Sequence, residues 1–222
     1  MSFYEQLQSQ TQLERQSLQS VEFIGRGVGG RLDREDYIAF LSQAYHHVKH
    51  TVPLLMCCGG RLPEHYEWLR VAVAEYIEEE TGHQEWILND IAAAGGDAEA
   101  VRQGQPALST ELMVAYAYDQ VQRRNPLGFF GMVQVLEGTS IAVADMAANA
   151  IQQSLGLPNT AFTYLKSHGA LDVGHVDFFR GLMDQITDPE DQQCIVHAAK
   201  VFYRLYGNIF RELAETRFLH AA

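Results

Sequence analysis

Between positions 168 and 175 the chain reads His168-Gly-Ala-Leu-Asp172-Val-Gly-His175, an H-x-x-x-D-x-x-H pattern. On an α-helix, steps of four and three bring these polar side chains onto one stripe. Two imidazoles and a carboxylate converging on one face make a metal-ligand set. The same spacing also suits a polar surface stripe, but Tyr164, Leu165, Leu171, Phe178 and Phe179 surround it with apolar surface, which favours an inward-facing site.

Two further pieces carry compatible chemistry. Glu79-Glu80-Thr81-Gly82-His83 contains E-x-x-H. Glu79 and Glu80 stand four and three residues before His83, so either carboxylate can share a helix face with it, and Glu80 is preferred. Glu137 is a solitary acid in the apolar run from Phe129 to Ala148. A buried, unpartnered carboxylate costs several kcal/mol, so Glu137 should have a partner, and a metal is the strongest on offer. A cap or surface turn at Gly138-Thr139-Ser140 is the plainer alternative. Imidazole and carboxylate without thiolate suit iron or manganese better than structural zinc. Glu80, His83, Glu137, His168, Asp172 and His175 together are enough donors for two ions, and Glu-x-x-His with a lone Glu on another helix belongs to carboxylate-bridged diiron sites in helical bundles.

The elements that must position these groups read as helices throughout. A polar amphipathic helix over about 2–20 is followed by a break at Gly25 to Gly30, which has neither the preceding strand nor the Lys-Ser/Thr of a phosphate loop. Asp33 reads as an N-cap with Asp36 in the capping-box place, opening a helix over about 34–58 that Pro53 should kink. A helix from Pro63 to about Ala94 carries Gly82 in its interior. Short helical patterns over about 97–103 and 109–125 precede the most apolar helix, about 128–155, which should be central. The H-x-x-x-D-x-x-H helix spans about 160–186, and a last helix runs from Asp188 to about Phe218. The expectation is one all-α domain over 1–222, a bundle of about seven to eight helices.

Bulk properties narrow the function classes. A formal net charge of −12 argues against nucleic acid and against an anionic membrane surface. No apolar run is long enough to span a bilayer, and the first residues lack a signal peptide's basic start and apolar core. Three cysteines, Cys57, Cys58 and Cys194, give no disulfide framework, so a reducing cytoplasm is expected. The apolar central helix, together with Phe202, Tyr203, Tyr206 and Phe210 on the last one, suggests a homodimer, although the same residues also suit a core.

Glu-x-x-His, an isolated Glu in an apolar helix, and His-x-x-x-Asp-x-x-His in that order resemble the haem-oxygenase-like diiron oxidases. These share a superfamily with thiaminase II (TenA) and pyrroloquinoline-quinone synthase. The resemblance covers the chain from about Tyr37 to Phe218. It implies a haem-oxygenase-like (TenA-like) helical fold and a nonhaem iron site with two ions, held by Glu80, His83, Glu137, His168, Asp172 and His175, where O₂ oxidises a small organic substrate. Some members add a carboxylate from an early helix, where this chain has Tyr45-His46-His47-Val48-Lys49-His50. That leaves the roles of His46, His47 and His50 open and makes Lys49 and Tyr45 candidates for catalytic groups at the pocket. The alternatives are a cofactor-free thiaminase- or quinone-synthase-type enzyme and a non-catalytic interaction protein of the same fold. Thiaminase II needs a cysteine nucleophile in its central helix, where this chain has Glu137, and haem oxygenase uses an early-helix histidine as its proximal ligand.

Overall fold

The computed structural model describes the backbone of residues 1–220, and the side chains of all of these except 141–142, 168–175 and 216–220. Every regular element among them is helical: α1 (Phe3–Gln10), α2 (Gln12–Gln19), α3 (Glu22–Val28), α4 (Arg34–Val48), α5 (Thr51–Arg61), α6 (Glu67–Glu80), α7 (His83–Ala93), α8 (Ala98–Gln103), α9 (Leu108–Arg123), α10 (Phe129–Leu155), α11 (Thr163–Gln185) and α12 (Pro189–His220).

The all-α expectation holds, with twelve helices in place of seven or eight. The difference comes from breaks that periodicity alone does not reveal. The first expected helix divides at Thr11, a buried β-branched residue whose hydroxyl donates to the Leu7 carbonyl at 2.7 Å. The helix expected over 34–58 stops at Val48 and restarts at Thr51. Pro53 has no N–H to give the carbonyl four residues back, so the discontinuity is a full interruption one turn earlier than a kink at Pro53. Gly82 is not inside a helix. It sits between α6 and α7 at φ 97°, a left-handed conformation that only glycine adopts without penalty. The glycine-rich stretch near the N-terminus carries α3 through Gly25 and Gly27, and the chain turns only at Gly30, φ 62°.

Where local signals are strong the elements begin as expected. Asp33 and Asp36 form the reciprocal capping box of α4, with Asp36 N–H donating to Asp33 Oδ1 at 2.8 Å and Asp33 N–H donating to Asp36 Oδ2 at 3.2 Å. The helix α10 packs against α3, α11 and α12 and is buried over most of its first half. Its contact with α12 is close: a Cβ on Gly131 would lie 2.6 Å from the Ala199 nitrogen, so only glycine lets the two backbones approach this far. Phe130 and Phe202 are fully buried there, and each such side chain contributes about 2–3 kcal/mol by leaving water. The helix α4 packs against α7 and α9, and α5 against α6 and α9. Among the described residues no single helix is long and apolar enough to cross a membrane.

Candidate active site

The break after α6 sets the first part of the site. Thr81 is extended (ψ 116°), Gly82 turns, and His83 opens α7. Glu80 and His83 therefore stand on two helices across a turn, not on one continuous helix. The turn still brings His83 Nδ1 to 3.1 Å from Glu80 Oε2. His83 is buried against the indole of Trp86, with ring centroids 4.1 Å apart. The Glu80 side chain is 17% exposed, whereas Glu79 points outward.

One turn before Glu80, Tyr76 is buried with its hydroxyl inside the protein. Burial raises its pKa most, and the carboxylates of Glu137, Glu79 and Glu80 raise it further, so the phenol stays protonated. That electrostatic environment brings the E-x-x-H segment and Glu137 to one place. Glu137 lies mid-helix on α10, not at a cap, and Thr139 beyond it returns its hydroxyl to the Val135 carbonyl at 2.6 Å. Glu80, Glu137, Tyr76 and Tyr164 line a single cavity of about 70 Å³, together with apolar side chains including Leu55 and Met132.

The early helix contributes His47 to that cavity. Its ring meets the ring of Tyr206 edge-on, with centroids 5.9 Å apart. Among the described residues, Lys49 and Tyr45 are not part of this cavity's lining. Lys49 Nζ lies 3.3 Å from His46 Nδ1 and 5.3 Å from the centre of the Tyr45 ring, so these side chains form their own group. Each residue along a helix turns the side chain by about 100°, so His47 cannot face the cavity together with both Tyr45 and Lys49. His50 is held elsewhere, its Nδ1 at 3.1 Å from the Tyr118 hydroxyl.

His168, Asp172 and His175 belong to α11, but their side chains lie outside the described residues. Among the described residues, no three His, Cys, Asp or Glu side chains are close enough together to hold a metal ion. What is described is a carboxylate–imidazole pair with a second carboxylate on the same cavity. As oxygen and nitrogen donors without thiolate, they fit iron in kind.

A residue that sequence reasoning missed fixes where α11 begins. Asp90 on α7 is fully buried and accepts the backbone N–H of Thr163 at 3.0 Å and of Tyr164 at 2.8 Å. Burial raises its pKa, and these N–H bonds pull it back down. Tyr37 completes the node by donating its hydroxyl to the Ala161 carbonyl at 2.6 Å. The signal was available: Asp90 is an isolated acid among Ile87, Leu88 and Ile91, the same pattern that singled out Glu137.

An all-helical bundle with carboxylates and histidines on a buried cavity defines the class, a haem-oxygenase-like fold. A sequence model of the iron-containing redox enzymes matches residues 38–207, and the chain belongs to that family. Among solved structures, the chain is similar to a Shewanella denitrificans OS217 domain of unknown function with a haem oxygenase-like fold (TM-score 0.87, 22% identity, covering 100% of this chain and 96% of that one). It is also similar to a TenA homologue from Pseudomonas syringae (TM-score 0.80, 11% identity, 96% and 93% covered) and to a haem oxygenase from Leptospira interrogans (TM-score 0.78, 18% identity, 96% and 100% covered). At these identities the likeness is one of fold. No curated protein sequence matches the chain.

Proposed function

We propose that this protein is a nonhaem diiron oxidase or oxygenase that uses O₂ on a small organic substrate. The observation that carries the reading is that Glu80, paired with His83 at 3.1 Å, and Glu137 line one cavity. Glu80, His83 and Glu137 would hold iron together with His168, Asp172 and His175. Bound iron would supply the electrons and the open coordination positions that O₂ chemistry needs. The chain's own groups would do the rest. The Glu80 carboxylate orients the His83 ring through Nδ1. Tyr76, kept protonated, presents an O–H beside Glu137 that can donate a proton or hold an oxygen atom in place. The apolar wall of Leu55, Met132 and Val133 keeps bulk water from the reacting groups.

A cysteine-based thiaminase reaction is disfavoured. None of Cys57, Cys58 and Cys194 lines the cavity, and burial pushes the Cys58 thiol up to about 12, leaving no thiolate at neutral pH. A haem reading draws support from His47 on α4, which stands at the cavity as an early-helix proximal ligand would.

The test is elemental analysis of protein purified with added iron, followed by optical spectra as the reduced form is mixed with oxygen. The parent should bind two irons per chain and change its spectrum with oxygen. His175→Ala and Glu137→Ala should lose iron and oxygen reactivity while keeping the helical signal, with His65→Ala as the unaffected control. Full iron content in both variants would remove the diiron reading, and a Soret band on adding haem would replace it with the haem one.

A further inference from the structure

A second cavity, also about 70 Å³, lies beside the first. Its walls come from α3, α4, α10, α11 and α12, with Ile24, Leu32, Phe40, Val143, Ile151 and Phe210 among them. Among the described residues no charged side chain lines it. Among the described residues the two cavities share two, Ser140 of α10 and Tyr164 of α11, which stand where the carboxylate cavity meets the apolar one.

The packing around it is not loose. Gly30 lies against the α10 backbone, where a Cβ would come within 3.0 Å of the Ala150 carbonyl oxygen, and Ala144, Ile151 and Leu165 are buried. A space this size in an otherwise close-packed interior forfeits dispersion contacts along its whole lining. One water needs roughly 10–15 Å³ by this kind of measure, so several would fit, but the lining offers few groups to hydrogen-bond them. An apolar lining with so few hydrogen-bonding groups favours a hydrocarbon over water.

We propose that this chamber is a binding site for an uncharged hydrocarbon group, and that it holds the apolar end of a substrate whose reacting end passes Ser140 and Tyr164 into the carboxylate cavity. The assignment of the reacting end rests on the proposed iron chemistry, but the hydrocarbon site itself does not. A charged group in the chamber would lose its hydration with no counter-charge among the described residues to replace it, so the recognised portion is neutral alkyl or aryl. The polar wall residues, Ser140 and Tyr164, mark where the ligand changes from apolar to reactive.

The experiment uses metal-free full-length protein, so its outcome is separate from that of the iron measurements. Methyl groups of Ile24, Val143 and Ile151 report on the chamber, and those of Met132 and Leu136 on the carboxylate cavity, in NMR spectra of methyl-labelled protein titrated with 1-alkanols from butanol to octanol. Short alkanols should shift the chamber methyls alone, and longer ones both sets. Ala144→Leu, which fills the chamber, should weaken binding at least tenfold. Gly27→Ala serves if that variant folds poorly: its new Cβ would meet Leu32 Cδ1 at 3.5 Å and Ala147 Cβ at 4.0 Å, ordinary contacts the helix can accept, and binding should weaken several-fold. Chamber methyls that ignore every alkanol, or respond equally in the filled variants, overturn the site. Chamber shifts that never extend to Met132 and Leu136 at any chain length overturn its continuity with the reaction cavity. Alkanol binding in a protein that takes up no iron would leave the chamber standing and remove the proposed function.

Discussion

Asp90 and Tyr164 tie two helices that are remote in sequence: the carboxylate on α7 receives the first two N–H groups of α11. The residue preceding α11, Phe162, offers no side-chain cap. Asp90 supplies one from across the fold, where the helix's positive end also favours an anion. The same helix that begins at His83 thus fixes the start of the helix that carries His168, Asp172 and His175. Asp90→Ala leaves two buried N–H groups without an acceptor and should destabilise the fold by about 2–4 kcal/mol, read by denaturant unfolding. Asp90→Asn keeps one acceptor oxygen and should fall between. A variant as stable as the parent would show that α11 does not depend on this cap.

Gly82 makes a second prediction. Its Cβ would meet nothing within 4 Å, so any cost of Gly82→Ala comes from φ 97° alone. That should be about 1–2 kcal/mol of stability. Because the turn sets the Glu80–His83 approach, iron retention should weaken as well. Equal stability and equal iron content would mean that the turn tolerates a side chain and does not govern the pair.

How far the site was legible followed from the range of each signal. Asp33 with Asp36 and the apolar stretch of α10 were readable because capping and hydrophobic period act within a few residues. Glu137 stood out because a lone acid in an apolar helix demands an explanation. The break at Thr11 was not readable, because helix period continues across it, while Pro53 and Gly82 were visible in the sequence only as irregularities within longer helices. At the end of α4 the sequence sets Tyr45, His46 and His47 in a row, and only the tertiary position of α4 shows that His47 is the one at the cavity. Asp90 needed a partner more than 70 residues away, Tyr164, which no local pattern names.

The group around His46 gives a pH prediction. Burial first, then the nearby Lys49 and His50 charges, lower the His46 pKa from 6.5 to about 4. A base whose folded pKa lies below its unfolded value favours the folded state when neutral. Its contribution is complete above about pH 6.5 and is lost as pH falls towards 4. After discounting for partial solvent screening, the loss should be on the order of 2 kcal/mol. His46→Gln should flatten the stability profile between those limits, followed by urea midpoints at several pH values. An unchanged slope would assign the acid sensitivity to other groups, His50 first among them.

The choice between Glu79 and Glu80 gives the sharpest test of the cavity. Both carboxylates act on the buried phenol of Tyr76, so charge alone does not separate them. Position does: Glu80 lines the cavity and meets His83 at 3.1 Å, while Glu79 is exposed to solvent. Glutamine matches glutamate in volume and helix propensity, so neither substitution should disturb α6. Glu80→Gln replaces the proposed ligating carboxylate and frees the His83 ring to turn, and iron affinity should fall by about tenfold or more. Glu79→Gln removes a screened charge at the surface and should leave iron content unchanged. Metal titration of the two purified variants, side by side with the parent, decides between them. Loss of iron in Glu79→Gln with full retention in Glu80→Gln would move the ligand one residue back and require α6 to rotate by about 100° about its axis.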